Sequence, residues 1–257
     1  MQDGFSIEFL EGDGRSQQGV ETFHFQRFKG GKIVNEATLK THQYGEIYKV
    51  PGLYEFIFYE TLQCRSHTFM VGMLEKALRQ EENNGLLKST FLDFGAGTGL
   101  VGEELRKIGV ERIIGLDILP RAMEAYQTAG GTSYEIYLID NMSNPKKQTV
   151  QTIMEYGPHV AITVSELGFN DVPPVAFNNV LSFLAPNDLF AFNLCSKILE
   201  NGQAEYNEVI SALEGCRKVE FLDKQKYVHR YSPGGKEILY HGFVGKIIEP
   251  ISFNRVE

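Results

Sequence analysis

Apolar and polar residues alternate at the start of the chain, and the period then changes. FSIEFL (5–10) and TFHFQRF (22–28) alternate with period two, which predicts short strands, while EGDG and KGGK carry turn chemistry. Residues 1–45 therefore read as a small β-rich extension. From Glu46 the spacing is helical. EIYKVPGLYEFIFYETL and SHTFMVGMLEKALRQEE predict helices, the second with Phe69, Met73, Ala77 and Leu78 on one face and Ser66 as its N-cap. Residues 46–89 thus form a helical cover.

Residues 90–257 change the pattern again. TFLDF (90–94), RIIGLD (112–117), YEIYLID (134–140), HVAITVS (159–165) and NDLFAFNLC (187–195) are apolar runs of strand length. Between and after them lie helical segments: GLVGEELRKI, PRAMEAYQ, KKQTVQTIMEY, PPVAFNNVLSFL and AEYNEVISAL (204–213). Apolar strands alternating with helices predict a mostly parallel sheet covered by helices on both faces. The tail, CRKVEFLDKQKYVHRY and KEILYHGFVGKII, predicts two strands joined through SPGG, which add an antiparallel strand near one edge. PGGK (233–236) resembles the earlier KGGK. Neither has the Ser or Thr that follows a phosphate-binding GK, so both read as hairpin turns.

Composition narrows the class. Of 257 residues 42% are hydrophobic and 23% charged, enough apolar surface for a real core. The net charge of −8 lacks the broad positive field that nucleic acid or an anionic membrane rewards, so neither is expected as a partner. Three scattered cysteines, Cys64, Cys195 and Cys216, are no disulfide framework. The acidic N-terminus and the lack of an apolar run of about 18 residues lead to the expectation of a cytoplasmic protein.

The chemistry concentrates at FLDFGAGTGLVG (91–102). Gly95, Gly97 and Gly99 spell GxGxG, the loop of a methyl-donor site, and Gly97, Gly99 and Gly102 spell GxGxxG, the fingerprint of a dinucleotide site. Asp93 discriminates. A carboxylate at the strand tip would repel a pyrophosphate but attract the sulfonium and amino group of S-adenosylmethionine. Asp117 ends the next strand 18 residues past Gly99, where an acid can accept two ribose hydroxyls; it can equally be a helix N-cap. Asp140 ends the third strand, where an acid can take an adenine amine, with the N–H of Asn141 or Met142 reaching a ring nitrogen; it equally suits a surface turn. Acids in order at the ends of successive strands make a ligand rim.

FLDFGAGTGLVGEEL, IIGLDILPRAMEAY and YEIYLIDNM resemble the first three motifs of class I S-adenosylmethionine-dependent methyltransferases, over about residues 46–248. The nearer likeness is to the small-molecule subgroup of Williams–Beuren-region methyltransferase-like proteins. Ala96 stands where that subgroup usually has Cys, and Ile118–Leu119–Pro120 replaces a D-x-S, leaving no hydroxyl cap after Asp117. The resemblance implies a Rossmann-like sheet of seven strands with the seventh antiparallel. It implies cofactor contacts from Asp93, Gly95, Ala96, Gly97, Gly99, Asp117, Ile118, Asp140, Asn141, Met142 and Ser165. The fourth motif is VSELGFNDVPP (164–174), with Ser165 and Glu166 at small-residue positions. Val172–Pro173–Pro174–Val175 lacks the polar and aromatic ends of an amino-methylating tetrad, and Ser165 has no GxSxG around it.

Methyl transfer from a sulfonium needs positioning and desolvation more than acid–base chemistry. If a base is used, Glu166, Asp171, His42 and His67 are the candidates, each also an ordinary surface or capping residue. Tyr48 and Tyr59, within an aromatic run, together with Glu166 and Asn170 are substrate-pocket candidates; core packing is the competing reading of the tyrosines. No spacing suggests a metal. The expectation is a methyltransferase using S-adenosylmethionine on a small-molecule acceptor. A non-catalytic binding protein of the same fold is the alternative, and an NAD-dependent oxidoreductase the less favoured one.

Overall fold

The computed structural model describes residues 3–10, 21–80, 85–167, 172–200, 215 and 217–253. The chain divides into two compact units, Met1–Arg65 with Val228–Ile238 and Ser66–Tyr227 with Leu239–Glu257. Asn170, Asp171, Cys216 and the helix expected over 204–213 lie outside the described residues.

The first unit is built on an antiparallel sheet, β1 (Gly4–Phe9), β2 (Thr22–Lys29) and β3 (Lys32–Lys40), in the order β1–β2–β3. Alternation places Phe23 and Phe25 of β2 on the buried face, while His24 and Gln26 bond across to Thr38 and Glu36 on the other. KGGK is the β2–β3 hairpin turn, with Gly30 and Gly31 both at positive φ. Phe23 and Phe25 pack with Ile47, Leu53, Ile57, Phe58 and Leu62, so residues 47–64 share one core with the sheet. The helix expected over 46–62 is broken. It becomes α1 (Tyr44–Ile47), α2 (Leu53–Glu55) and a π-helical turn, Phe56–Thr61, because Pro51 withholds an N–H and Gly52 turns left-handed at φ 84°. Glu21 and Arg230, both buried, pair at 2.6 Å, and Thr41 Oγ1 donates to the other Glu21 oxygen at 2.8 Å.

The second unit is α/β. Its strands are β4 (Thr90–Phe94), β5 (Arg112–Asp117), β6 (Ile136–Ile139), β7 (Pro158–Thr163), β8 (Leu189–Cys195), β9 (Val219–Tyr231) and β10 (Glu237–Ile247), the tip of the last hairpin belonging to the first unit. They form one seven-stranded sheet in the order β6–β5–β4–β7–β8–β10–β9. β4 to β8 run parallel, and β10 pairs antiparallel with β8. Every residue of β4 and β8 is buried, as strands covered on both faces require. The covering helices are α3 (Ser66–Leu78), α4 (Leu100–Lys107), α5 (Pro120–Thr128), α6 (Lys147–Tyr156), α7 (Pro174–Leu181) and the short α8 (Ser196–Glu200). This is the expected fold class. Strand order reverses at β4, with β5 and β6 on one side and β7 and β8 on the other, so the carboxyl ends of β4 to β7 share the rim where open α/β sheets bind ligands. Among the described residues, no helix is long and apolar enough to cross a membrane.

Candidate functional site

The glycine loop leaves β4 at this rim. Gly95, Gly97 and Gly99 all have positive φ, 81°, 51° and 91°, a conformation in which a side chain is strained. The loop is tied on three sides. Gly95 and Ala96 give their N–H groups to Leu116 O at 2.8 and 3.1 Å. Gly97 gives its N–H to Asp117 Oδ2 at 2.9 Å, and its carbonyl accepts the Tyr137 phenol at 2.7 Å.

Asp93 lies one residue inside the end of β4 and is fully buried. Its Oδ2 accepts the Tyr134 hydroxyl at 2.6 Å, and its Oδ1 has no partner among the described residues. Burial pushes this carboxyl up to about 7, with nearby Asp117 adding to the effect and the Tyr134 hydrogen bond opposing it. The sequence reading took Asp93 as a fixed negative charge; in the fold its charge is conditional on what stands beside it.

Asp117 ends β5, buried, with Oδ2 on Gly97 and Oδ1 accepting Leu119 N–H at 2.8 Å. This bond closes the turn that leads into α5, whose N-cap, Leu119, makes no side-chain cap bond. Burial raises its pKa, and the N–H groups of Leu119, Gly97 and Ile118 oppose the rise. A carboxylate has about four acceptor sites, so two backbone bonds leave capacity for a ligand. Ile118 itself is exposed. Asp140, after β6, accepts the N–H of Asn141 at 2.8 Å and of Lys146 at 2.9 Å, organising its own turn. Asn141 Oδ1 accepts Ser143 N–H, and buried Met142 has its carbonyl held by Asn179 Nδ2 at 2.9 Å.

The fourth motif follows β7. Ser165 has φ 67°, unusual for a residue with a side chain, and its N–H donates to Asn193 Oδ1 at 2.6 Å. Its hydroxyl is buried without a partner, as is that of Thr98 in the glycine loop. Glu166 then lies across the loop: a Cβ on Gly95 would fall 2.1 Å from Glu166 Cγ. Asp117, Asp93 and Glu166 all push the Tyr137 phenol upward, after its burial, so three carboxylates surround one tyrosine at the glycine loop. Neither Asp93 nor Asp117 has a Lys or Arg partner among the described residues.

Of the expected site residues, Asp93, Gly95, Ala96, Gly97, Gly99, Asp117, Asp140, Asn141, Met142, Ser165 and Glu166 gather at the ends of β4 to β7. His42, Tyr48 and Tyr59 belong to the first unit. There His42 stacks on Tyr44, and Tyr44, Tyr48, Tyr54, Phe58 and Tyr59 pack edge and face against one another. The sequence reading missed Tyr126, Tyr134, Tyr137 and Asn193. Rings of the three tyrosines lie 5.0–5.5 Å apart, packed where Cβ atoms on Gly99, Gly102, Gly115 and Gly131 would collide with them. Glycines on facing elements were the available signal. For Asn193 it was one amide inside the apolar run LFAFNLC.

No protein-family model matches the chain. A curated ribosomal protein L11 methyltransferase of Pseudoalteromonas atlantica (strain T6c / ATCC BAA-1087) is 33% identical over 72 residues, covering 26% of this chain and 25% of that protein. The chain thus spans about a quarter of the length of the curated relative it matches. Among solved structures, an S-adenosylmethionine-dependent methyltransferase of Clostridium acetobutylicum ATCC 824 aligns with 76% of this chain and 96% of its own at TM-score 0.51 and 12% identity. One from Anabaena variabilis ATCC 29413 aligns with 79% and 93% at TM-score 0.51 and 14% identity. A candidate RNA methyltransferase of Pyrococcus horikoshii aligns with 71% and 81% at TM-score 0.50 and 10% identity.

These neighbours overturn the expected partners, a small-molecule acceptor with no nucleic acid expected. The curated relative is named for a ribosomal protein and the Pyrococcus structure for RNA. Net charge is a sum over the whole chain and does not describe the field at one rim, so it was a poor guide to the acceptor. The chain has the class I fold of S-adenosylmethionine-dependent methyltransferases.

Proposed function

We propose that the protein binds S-adenosylmethionine at the carboxyl ends of β4 to β7 and transfers its methyl group to an acceptor on a macromolecule. One observation carries the cofactor reading: Asp93, Asp117 and Glu166 surround the glycine loop, and one fully buried oxygen of Asp93 has no partner among the described residues. A buried, unpartnered carboxylate oxygen is costly and asks for a donor or a cation. A pyrophosphate would meet three carboxyl groups there and repel their ionised forms, whereas the amino and sulfonium groups of S-adenosylmethionine favour those forms.

The residues present fit this cofactor. Gly95, Gly97 and Gly99 hold the positive-φ turn of the loop, with Glu166 packed over Gly95 and Tyr126 against Gly99. Asp117 and Ile118 would take the ribose side, Asp140, Asn141 and Met142 the adenine side, and Ser165 its buried free hydroxyl. Bound, the cofactor supplies an already activated methyl group. What the chain adds is orientation and the exclusion of water, through the fully buried floor of β4. Glu166 is the base candidate that the fold brings to the glycine loop. The finer likeness to the Williams–Beuren-region proteins rests on the motif run alone.

For the acceptor we favour a protein over RNA. The curated relative's name supports it. Incubation with radiolabelled S-adenosylmethionine and either ribosomal protein or ribosomal RNA tests this. Label in the protein fraction, lost on Asp93→Ala substitution, is expected. Label confined to RNA overturns the acceptor, and label in neither fraction or in free metabolites overturns the macromolecular reading.

A further inference from the structure

We propose that Tyr134 is the positioning residue of the cofactor site, fixing one oxygen of Asp93 so that the other faces the ligand's cationic end; this rests on the cofactor reading above. The Tyr134 hydroxyl donates to Asp93 Oδ2 at 2.6 Å, and Asp93 Oδ1 is buried and has no partner among the described residues. Tyr134 has no room to turn away. Cβ atoms at Gly102 and Gly115 would lie 2.6 and 2.9 Å from its ring, so two glycines, one on α4 and one on β5, are hollowed out for it. Its N–H donates to the Tyr126 hydroxyl at 3.0 Å, and the Tyr126 ring lies 5.0 Å from its own. Helix α4, strand β5 and the Tyr126 phenol together lock this phenol onto one carboxylate oxygen. This accounts for Gly102: the third glycine of the apparent dinucleotide fingerprint makes room for Tyr134.

The arrangement couples ligand charge to a proton. The groups facing Asp93 are Asp117 from β5, Tyr134 from the segment before β6 and Tyr137 from β6, while β7 presents apolar Ile162 in register with it. No fixed cation is among them. The carboxyl, held near 7 by burial, is part protonated at neutral pH, and an incoming cation favours its ionised form. Binding below pH 7 therefore expels a proton. Tyr134 donates to the ionised form, so losing its hydroxyl makes Asp93 hold its proton to higher pH.

The test is calorimetric titration of the full chain with S-adenosylmethionine from pH 6 to pH 9, for wild type, Tyr134→Phe and Tyr126→Phe. Taking wild-type to variant affinity as a ratio at each pH cancels the titration of the ligand itself. For Tyr134→Phe the ratio is expected to be about tenfold at pH 6 and to fall towards one at pH 9, as losing one hydrogen bond to a charged group implies. For Tyr126→Phe any loss should be the same at every pH. A Tyr134→Phe ratio that does not change with pH overturns the proposal. Should Tyr134→Phe not fold, Gly102→Ala/Tyr134→Leu, in which the new methyl takes up room the ring leaves, replaces it: the same pH-dependent ratio supports the proposal, and a ratio that does not change with pH overturns it. Wild type that binds S-adenosylmethionine at no pH refutes the cofactor reading instead.

Discussion

The N–H of Ser165 donates to Asn193 Oδ1 at 2.6 Å, and this bond holds a serine in the left-handed region at the end of β7. Asn193 is wholly buried in β8 and gives its Nδ2 to the Tyr227 hydroxyl at 2.7 Å. Tyr227 in turn stacks on Phe69 of α3 at 3.9 Å and shares a hydrogen bond with Ser66 at 2.6 Å. The direction in which Glu166 leaves the sheet is thus set from β8, α3 and β9.

Asn193→Ala leaves the Ser165 N–H without its partner, while the Tyr227 hydroxyl keeps Ser66. A buried group left so costs about 1–3 kcal/mol. Urea unfolding should show a loss in this range or above it, and thermal stabilisation by S-adenosylhomocysteine should shrink further than stability alone explains. A variant with wild-type stability would contradict the network.

Gly102→Ala pushes a methyl group into the Tyr134 ring, 2.6 Å away, and into Ser133 Oγ at 2.8 Å. A ring held by α4, β5 and Tyr126 cannot give way cheaply, and overpacking of this kind costs about 1–3 kcal/mol. A helical Gly→Ala change on an exposed face would stabilise instead. The sign of the change in denaturation midpoint therefore distinguishes the two environments. Adding Tyr134→Leu should recover part of the loss.

Asp93→Asn separates stability from binding. A carboxyl whose folded value is raised to about 7 from 3.8 binds its proton more tightly when folded. Its stabilising contribution is fully present below the unfolded value and is lost as pH rises through the folded one. The substitution keeps an acceptor for Tyr134 and removes the charge. It should stabilise the ligand-free protein at pH 8 by up to about 4 kcal/mol, with the gain gone near pH 4. The same change should abolish stabilisation by S-adenosylmethionine. Denaturation curves at the two pH values, with and without ligand, check both halves.

In the first unit, Glu21→Ala strands a buried Arg230 guanidinium that now pairs at 2.6 Å. Removing one member of a buried pair costs about 3–5 kcal/mol. The double change Glu21→Met/Arg230→Met should be less destabilised than Glu21→Ala, because no charge is left uncompensated. Chemical denaturation of the three proteins gives the comparison.

Much of the frame was legible in the chain. TFLDF is β4 to the residue, and the acids at 93, 117 and 140 do end successive strands, because apolar runs and strand-end polarity are local properties. The break at Pro51–Gly52 was written in the sequence, but the π-helical turn after it follows from packing in the first unit and has no local code. Asp93 shows the limit most clearly. Its type and position were readable, whereas its ionisation depends on burial and on Tyr134, 41 residues away. Asp117 illustrates another: the missing hydroxyl cap was visible, and the tie of one carboxylate to both Gly97 and Leu119 was not.

The central claim is that this crevice selects a cationic nucleoside over a phosphorylated one. Isothermal titration of the wild-type chain at pH 8 with S-adenosylhomocysteine and, separately, with NAD tests it directly. One-to-one binding of S-adenosylhomocysteine with no heat from NAD is the predicted result. Binding of NAD without binding of S-adenosylhomocysteine would contradict it.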